Sequence, residues 1–197
     1  MNLSLRKLQH IAGLSLKNGI RLHFDSISLF NIKSYPTALF ISVIAMEEIG
    51  KAFWADHFVF YSKVGERGDK ELEEEWINLL LGNHKGKQLS FLSQIYSEID
   101  KKFYEFIKSN KLDRFKQNSI YVGLEKPKKG KPRAEGEIID PSKIRKEDAR
   151  KQILLVHKFL ESNIVDSESG IIYHDLAIFR KLLNNELLIK LESKKIK

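Results

Sequence analysis

The segment Ala45-Met-Glu-Glu-Ile-Gly-Lys51 sets Glu47, Glu48 and Lys51 into a stretch, residues 37–55, that is otherwise almost entirely apolar or small. On a helical wheel Glu47 falls on the stripe of Phe40, Ile44, Trp54 and Phe58, and Lys51 lies one turn further along it. An ionised group in apolar surroundings costs several kcal/mol unless it is paired and hydrogen-bonded. Either a Glu47/Lys51 pair ties the core together, or these groups line a site. A second set follows in Asn83-His-Lys-Gly-Lys87, where His84 and Lys87 head a stripe continued by Phe91, Ile95, Ile99 and Phe106. If the two helices pack together, carboxylate, ammonium and imidazole meet in one buried cluster. Such clusters shift pKa values and mark candidate sites; the plainer reading is an ionic network that fixes helix register. Histidine as acid or base, lysine on a phosphate and glutamate as orienter would make a nuclease-like set.

The elements that must hold these groups read as helices almost throughout. Residues 3–30 carry the stripe Leu5, Leu8, Ala12, Leu16, Gly19, Ile27 and Phe30, with His23 on the same line. Pro36 suits a helix start, and a second helix is predicted over 37–62. Gly65 and Gly68 break it, a short acidic helix covers 69–81, and Asn83 is placed to cap a fourth helix over 84–109. The regular pattern stops over 113–148, which holds three of the four prolines. Within it, 118–124 suits a short strand or extended segment, where Tyr121 is expected to pack against the bundle rather than stack on a base. Lys126, Lys128, Lys129, Lys131 and Arg133 form a basic loop, long enough to suggest a function such as RNA contact. Helix returns over 142–163, and a last helix ends near residue 191. The predicted fold is an all-α bundle of five or six helices in one domain, 1–197, with one long basic loop.

Three pieces in order, Ala45-Met-Glu-Glu-Ile-Gly-Lys-Ala52, Asn83-His-Lys-Gly-Lys87 and Ile120-Tyr-Val122, resemble the AbiV family of abortive-infection proteins. That family shows a small-residue-rich helix ending in Glu-Glu-x-Gly-Lys, a later His-x-x-Lys, and a Leu-Tyr-Val-like segment. The likeness spans roughly residues 4–124. It departs at Ile120, where leucine is usual, and at Gly123, where an acidic residue is expected. The resemblance implies a HEPN-type helical bundle acting in phage defence. It further implies a cytoplasmic homodimer that damages RNA or arrests translation under the control of a phage or host partner. Many HEPN proteins are metal-independent ribonucleases with an Arg-x(4–6)-His motif. Arg150 and His157 fit its longest spacing. Their separation turns about 700°, so both lie on nearly one helix face, about 10 Å apart along the axis. Flanking Ile153, Leu154 and Ile164 would suit a dimer interface. Candidate catalytic residues are thus His84, Lys87, Glu47, Glu48 and Lys51, with Arg150 and His157 as the other pair. The alternative is a non-catalytic helical module that occupies RNA, the ribosome or a protein partner through residues 126–133.

Composition narrows the classes further. The chain of 197 residues carries a net charge of +8 with a pI near 9.4, which favours polyanionic partners. It has no cysteine, so disulfides and thiolate metal sites are excluded. No Glu-x-x-His spacing occurs, and no metal or other cofactor is expected. P-loop, Gly-x-Gly-x-x-Gly and Gly-x-Ser-x-Gly patterns are missing. Neither a signal-peptide core nor a membrane span is expected, since the apolar run 38–46 meets Glu47 far short of about 20 residues.

Overall fold

The computed structural model describes residues 4–63, 71–93, 101–125 and 132–160. Helix α1 (Leu5–Asn31) is capped by Ser4, whose hydroxyl accepts from the Lys7 N–H at 3.2 Å. A three-residue turn leads into α2 (Tyr35–Lys63), which packs along the length of α1. Then come α3 (Glu71–Gly82), α4 (His84–Ser93), α5 (Lys101–Lys108) and α6 (Lys111–Asn118). Two-residue strands β1 (Gly123–Leu124) and β2 (Ile138–Ile139) pair antiparallel, Gly123 opposite Ile139, before α7 (Lys146–Leu160) closes the core. The architecture is the all-α bundle the sequence predicts. No helix among the described residues is long and apolar enough to cross a membrane.

Helix α2 is the axis of the bundle. It touches α1, α3, α4, α6 and α7. A helix apolar on every face has to be covered on every face, and Leu39, Val43, Met46, Ile49 and Phe53 are all buried in the main core. From α1 the predicted stripe delivers Leu16, Ile27 and Phe30, and α7 delivers Ile153, Val156, Phe159 and Leu160. A smaller cluster seats α3, where the Trp76 ring stacks on Phe58 with centroids 4.2 Å apart.

The described residues hold seven α-helices, more than predicted, and the main correction lies in the segment read as irregular from 113. Residues 111–118 are helical. Leu112, Phe115, Lys116 and Ser119 form an inward stripe at i, i+3, i+4 and i+7, but a lysine occupies an apolar slot and hides the pattern. Asn110, in the left-handed conformation at φ 58°, turns the chain from α5 into α6. Tyr121, expected to pack, is 61% exposed, because the short β1–β2 ribbon stands out from the bundle. Ile153 lies in the core rather than on a free face, since α7 turns it toward α2. The interior of the predicted fourth helix between α4 and α5, the break at Gly65–Gly68 and everything beyond 160, including Ile164 and the last helix, lie outside the described residues.

Gly50 permits the tightest crossing. A Cβ built there would stand 1.9 Å from the Lys87 carbonyl oxygen, so α2 and α4 touch backbone to backbone. Overpacked contacts against backbone cannot be relieved by a rotamer change. Gly50→Ala should therefore lower stability by at least about 2 kcal/mol in urea unfolding. Gly82→Ala, with nothing within 4 Å of the added methyl, should stay within about 0.5 kcal/mol of wild type.

Candidate functional site

The backbone contact at Gly50 brings the first turns of α4 against α2 one turn from Glu47. The Glu47 carboxylate is 3% exposed and receives three donors. Its Oε1 accepts from Gln88 Nε2 at 2.8 Å and from Lys116 Nζ at 2.8 Å, and its Oε2 lies 2.8 Å from His84 Nδ1. A buried carboxylate is tolerable only when its lone pairs are filled in this way. The two helices do pack together, which meets the condition for a shared ionic cluster.

The pairing differs from the simplest expectation. Lys51 does not pair with Glu47; its ammonium donates to Glu48 Oε1 at 2.6 Å, and Asn18 of α1 donates to Glu48 Oε2 at 3.3 Å. A lysine three positions on reaches the neighbouring carboxylate, while Glu47 is turned inward toward α4 and α6. The cation on Glu47 is instead Lys116, 1% exposed, which also contacts Asp113 Oδ1 at 2.7 Å. Gln88, Asp113 and Lys116 were not among the candidates. The stripe spacing of Leu112, Phe115, Lys116 and Ser119 was the signal that could have found α6.

Lys87 is buried beneath the cluster, and its ammonium donates to the Leu81 carbonyl at 2.8 Å. That carbonyl belongs to the last turn of α3, where acceptors lack helical partners. Burial pushes the Lys87 pKa below its usual value; nearby Lys51 and Lys116 add to this, and Glu47 and Glu48 oppose it. The predicted cap at Asn83 is present, its Oδ1 accepting from the Gly86 N–H at 2.9 Å.

His84 sits at the rim. Its side chain is 51% exposed, with Nδ1 held by Glu47. An ionised carboxylate can only accept, so Nδ1 carries a proton, and in the neutral ring Nε2 is the bare nitrogen. No described residue engages Nε2. His84 lines an open cleft of about 720 Å³ between the α3–α4 junction, α6 and the β1–β2 ribbon. Lys85 and Arg114 supply cations to its wall, Asp113 and Glu125 carboxylates, and Asn83, Asn110, Gln117 and Asn118 amides. Arg114 is tied only loosely, 3.8 Å from Glu125. A bare imidazole nitrogen oriented by a buried carboxylate beside two cations can accept a proton next to a bound phosphate.

Glu47, His84 and Asp113 also offer ligand atoms within 4.8 Å of one another. The Lys116 ammonium stands among them, so the positive charge a metal would supply is already present.

Arg150 and His157 have separate environments. Arg150 is exposed on α7, whereas His157 is 9% exposed with Nδ1 3.1 Å from His23 Nε2. His23 is fully buried, its pKa pushed down to about 3, first by desolvation and then by His157. Its Nδ1 has no partner among the described residues, which is least costly if His23 donates through Nε2. Lys126, Lys128, Lys129 and Lys131 lie outside the described residues. Arg133 opens the 3-10 turn Arg133–Glu135.

A family model described as AbiV, HEPN_AbiV, matches residues 7–161, from the first turn of α1 through the end of α7. No curated protein and no solved structure matches the chain.

The His23 shift has a defined sign. Its folded pKa lies below the unfolded value of 6.5, so between pH 6.5 and about 3 the unfolded chain binds more protons. Its stabilising contribution is complete above pH 6.5 and is lost as pH falls toward 3. Between pH 6.5 and 4.5 wild type should lose about 2–3 kcal/mol more in urea unfolding than His23→Gln. Parallel acid limbs for the two proteins would refute the assignment.

Proposed function

Since the chain belongs to the AbiV family of HEPN-type proteins, a family of abortive-infection phage defence, we propose that it acts on RNA through the cleft beside His84. The observation that carries this reading is the buried Glu47 carboxylate holding His84 Nδ1 at 2.8 Å while Nε2 stays bare at the cleft. In the proposed reaction Nε2 takes the proton of a ribose 2′-hydroxyl. The 2′-oxygen attacks the adjacent phosphorus, the bond from phosphorus to the 5′-oxygen breaks, and water protonates the leaving oxygen. The products are a 2′,3′-cyclic phosphate and a 5′-hydroxyl. Lys85 and Arg114 neutralise the charge that builds on the phosphate oxygens. No resident metal is needed for this chemistry.

Two features favour His84 over the Arg150/His157 pair as the proton acceptor. His84 is open to the cleft, whereas His157 is buried against His23. Glu47 also gives His84 the orienting group a catalytic histidine needs. By family analogy the working protein is a cytoplasmic homodimer, held in check until a phage-encoded partner activates it.

Purified protein incubated with total RNA and with tRNA in EDTA should generate cyclic-phosphate ends. His84→Ala should lower the rate by about 10²- to 10⁴-fold in a protein that still folds, with a melting temperature lowered by the donor that Glu47 loses. Wild-type rates in that variant would move the chemistry elsewhere, with His157→Ala the next comparison. RNA retained but uncut by wild type would favour a binding module that arrests translation.

A further inference from the structure

Lys116 is the least expected member of the cluster. It lies on an eight-residue helix, is 1% exposed, and carries a charge that has to be compensated where it sits. Its ammonium lies 2.8 Å from Glu47 Oε1, 2.7 Å from Asp113 Oδ1 and 3.5 Å from His84 Nδ1. Those two carboxylates and that imidazole are the kinds of group that gather round a divalent metal, and all three converge on one small volume. The lysine nitrogen is placed within it.

We propose that the Lys116 ammonium is the resident cation of this site, held where Glu47, His84 and Asp113 would otherwise receive a divalent metal. In that place it does two things. It draws Glu47 Oε1 to itself, which leaves Oε2 for His84 and sets the carboxylate plane that orients the ring. It also keeps a positive charge 3.5 Å from Nδ1, where it cannot donate because that nitrogen already carries a proton. The contact is electrostatic. Lys116 is thus a positioning residue, acting through Glu47 and His84 and not on a substrate. The consequence for catalysis rests on the reading of His84 as proton acceptor, but the arrangement of charges is measurable without RNA.

Zn²⁺ alone, titrated calorimetrically into the full chain, separates the alternatives. Wild type should show no Zn²⁺ binding that depends on His84. Lys116→Ala should gain one equivalent at least tenfold tighter than any such binding in wild type, and the double variant Lys116→Ala/His84→Ala should lose it. A stoichiometric, His84-dependent Zn²⁺ site in wild type would overturn the proposal by showing that metal displaces the lysine. A folded Lys116→Ala that gains no such site would also overturn it, because the three ligands would not converge. If Lys116→Ala fails to fold, the wild-type imidazole decides. Ring ¹⁵N shifts at neutral pH should report the proton on Nδ1 of His84, and a proton on Nε2 alone would sink the idea.

Discussion

The buried carboxylate of Glu47 is the constraint to which the rest of the site answers. It lies in the middle of the most hydrophobic of the described helices, and it is stable there only because α4 supplies Gln88 and His84 and α6 supplies Lys116. Losing one of these donors would leave part of an ionised group unpaired in a medium of low polarizability. The helices that carry them are short and would be marginal alone. Their placement therefore depends on the packing of α4 and α6 onto α2 as well as on the ionic contacts that follow from it.

That packing has its own geometrical requirement. Side chains from α4 can reach Glu47 only if the two backbones approach closely, and Gly50, three residues on, removes the Cβ that would collide with the Lys87 carbonyl. Glycine, glutamate and lysine in this short run thus have separate tasks. Gly50 sets the distance, Glu47 faces α4 and α6, and Glu48 with Lys51 ties off the side facing α1 through Asn18. Beneath them Lys87 closes the end of α3. The cluster is closed on the core side, and His84 with Asp113 opens it to the cleft.

The two histidine sites follow different logic. His84 is half exposed, held by a carboxylate through one nitrogen, and keeps the other available. His23 is fully enclosed and meets another imidazole in place of an acid. The first environment suits proton transfer; the second keeps His23 neutral and makes stability sensitive to acid.

Helical class, the course of α1 and α2, the Asn83 cap and the pairing of the Glu47 and His84 regions were legible in the sequence, because a period of 3.6 residues and a buried charge both leave marks on local composition. The family resemblance fell on the same residues. The sequence alone did not reveal α6, because its stripe includes a lysine, and a lysine reads as solvent-facing unless its partner is known. That partner, Glu47, is 69 residues away. Nor could spacing decide that Lys51 would choose Glu48 over Glu47, or that His157 would meet His23 across 134 residues. Local pattern determines which face of a helix is buried. Which charge meets which across helices depends on crossing distance and axial register, and these are set only when the whole core packs.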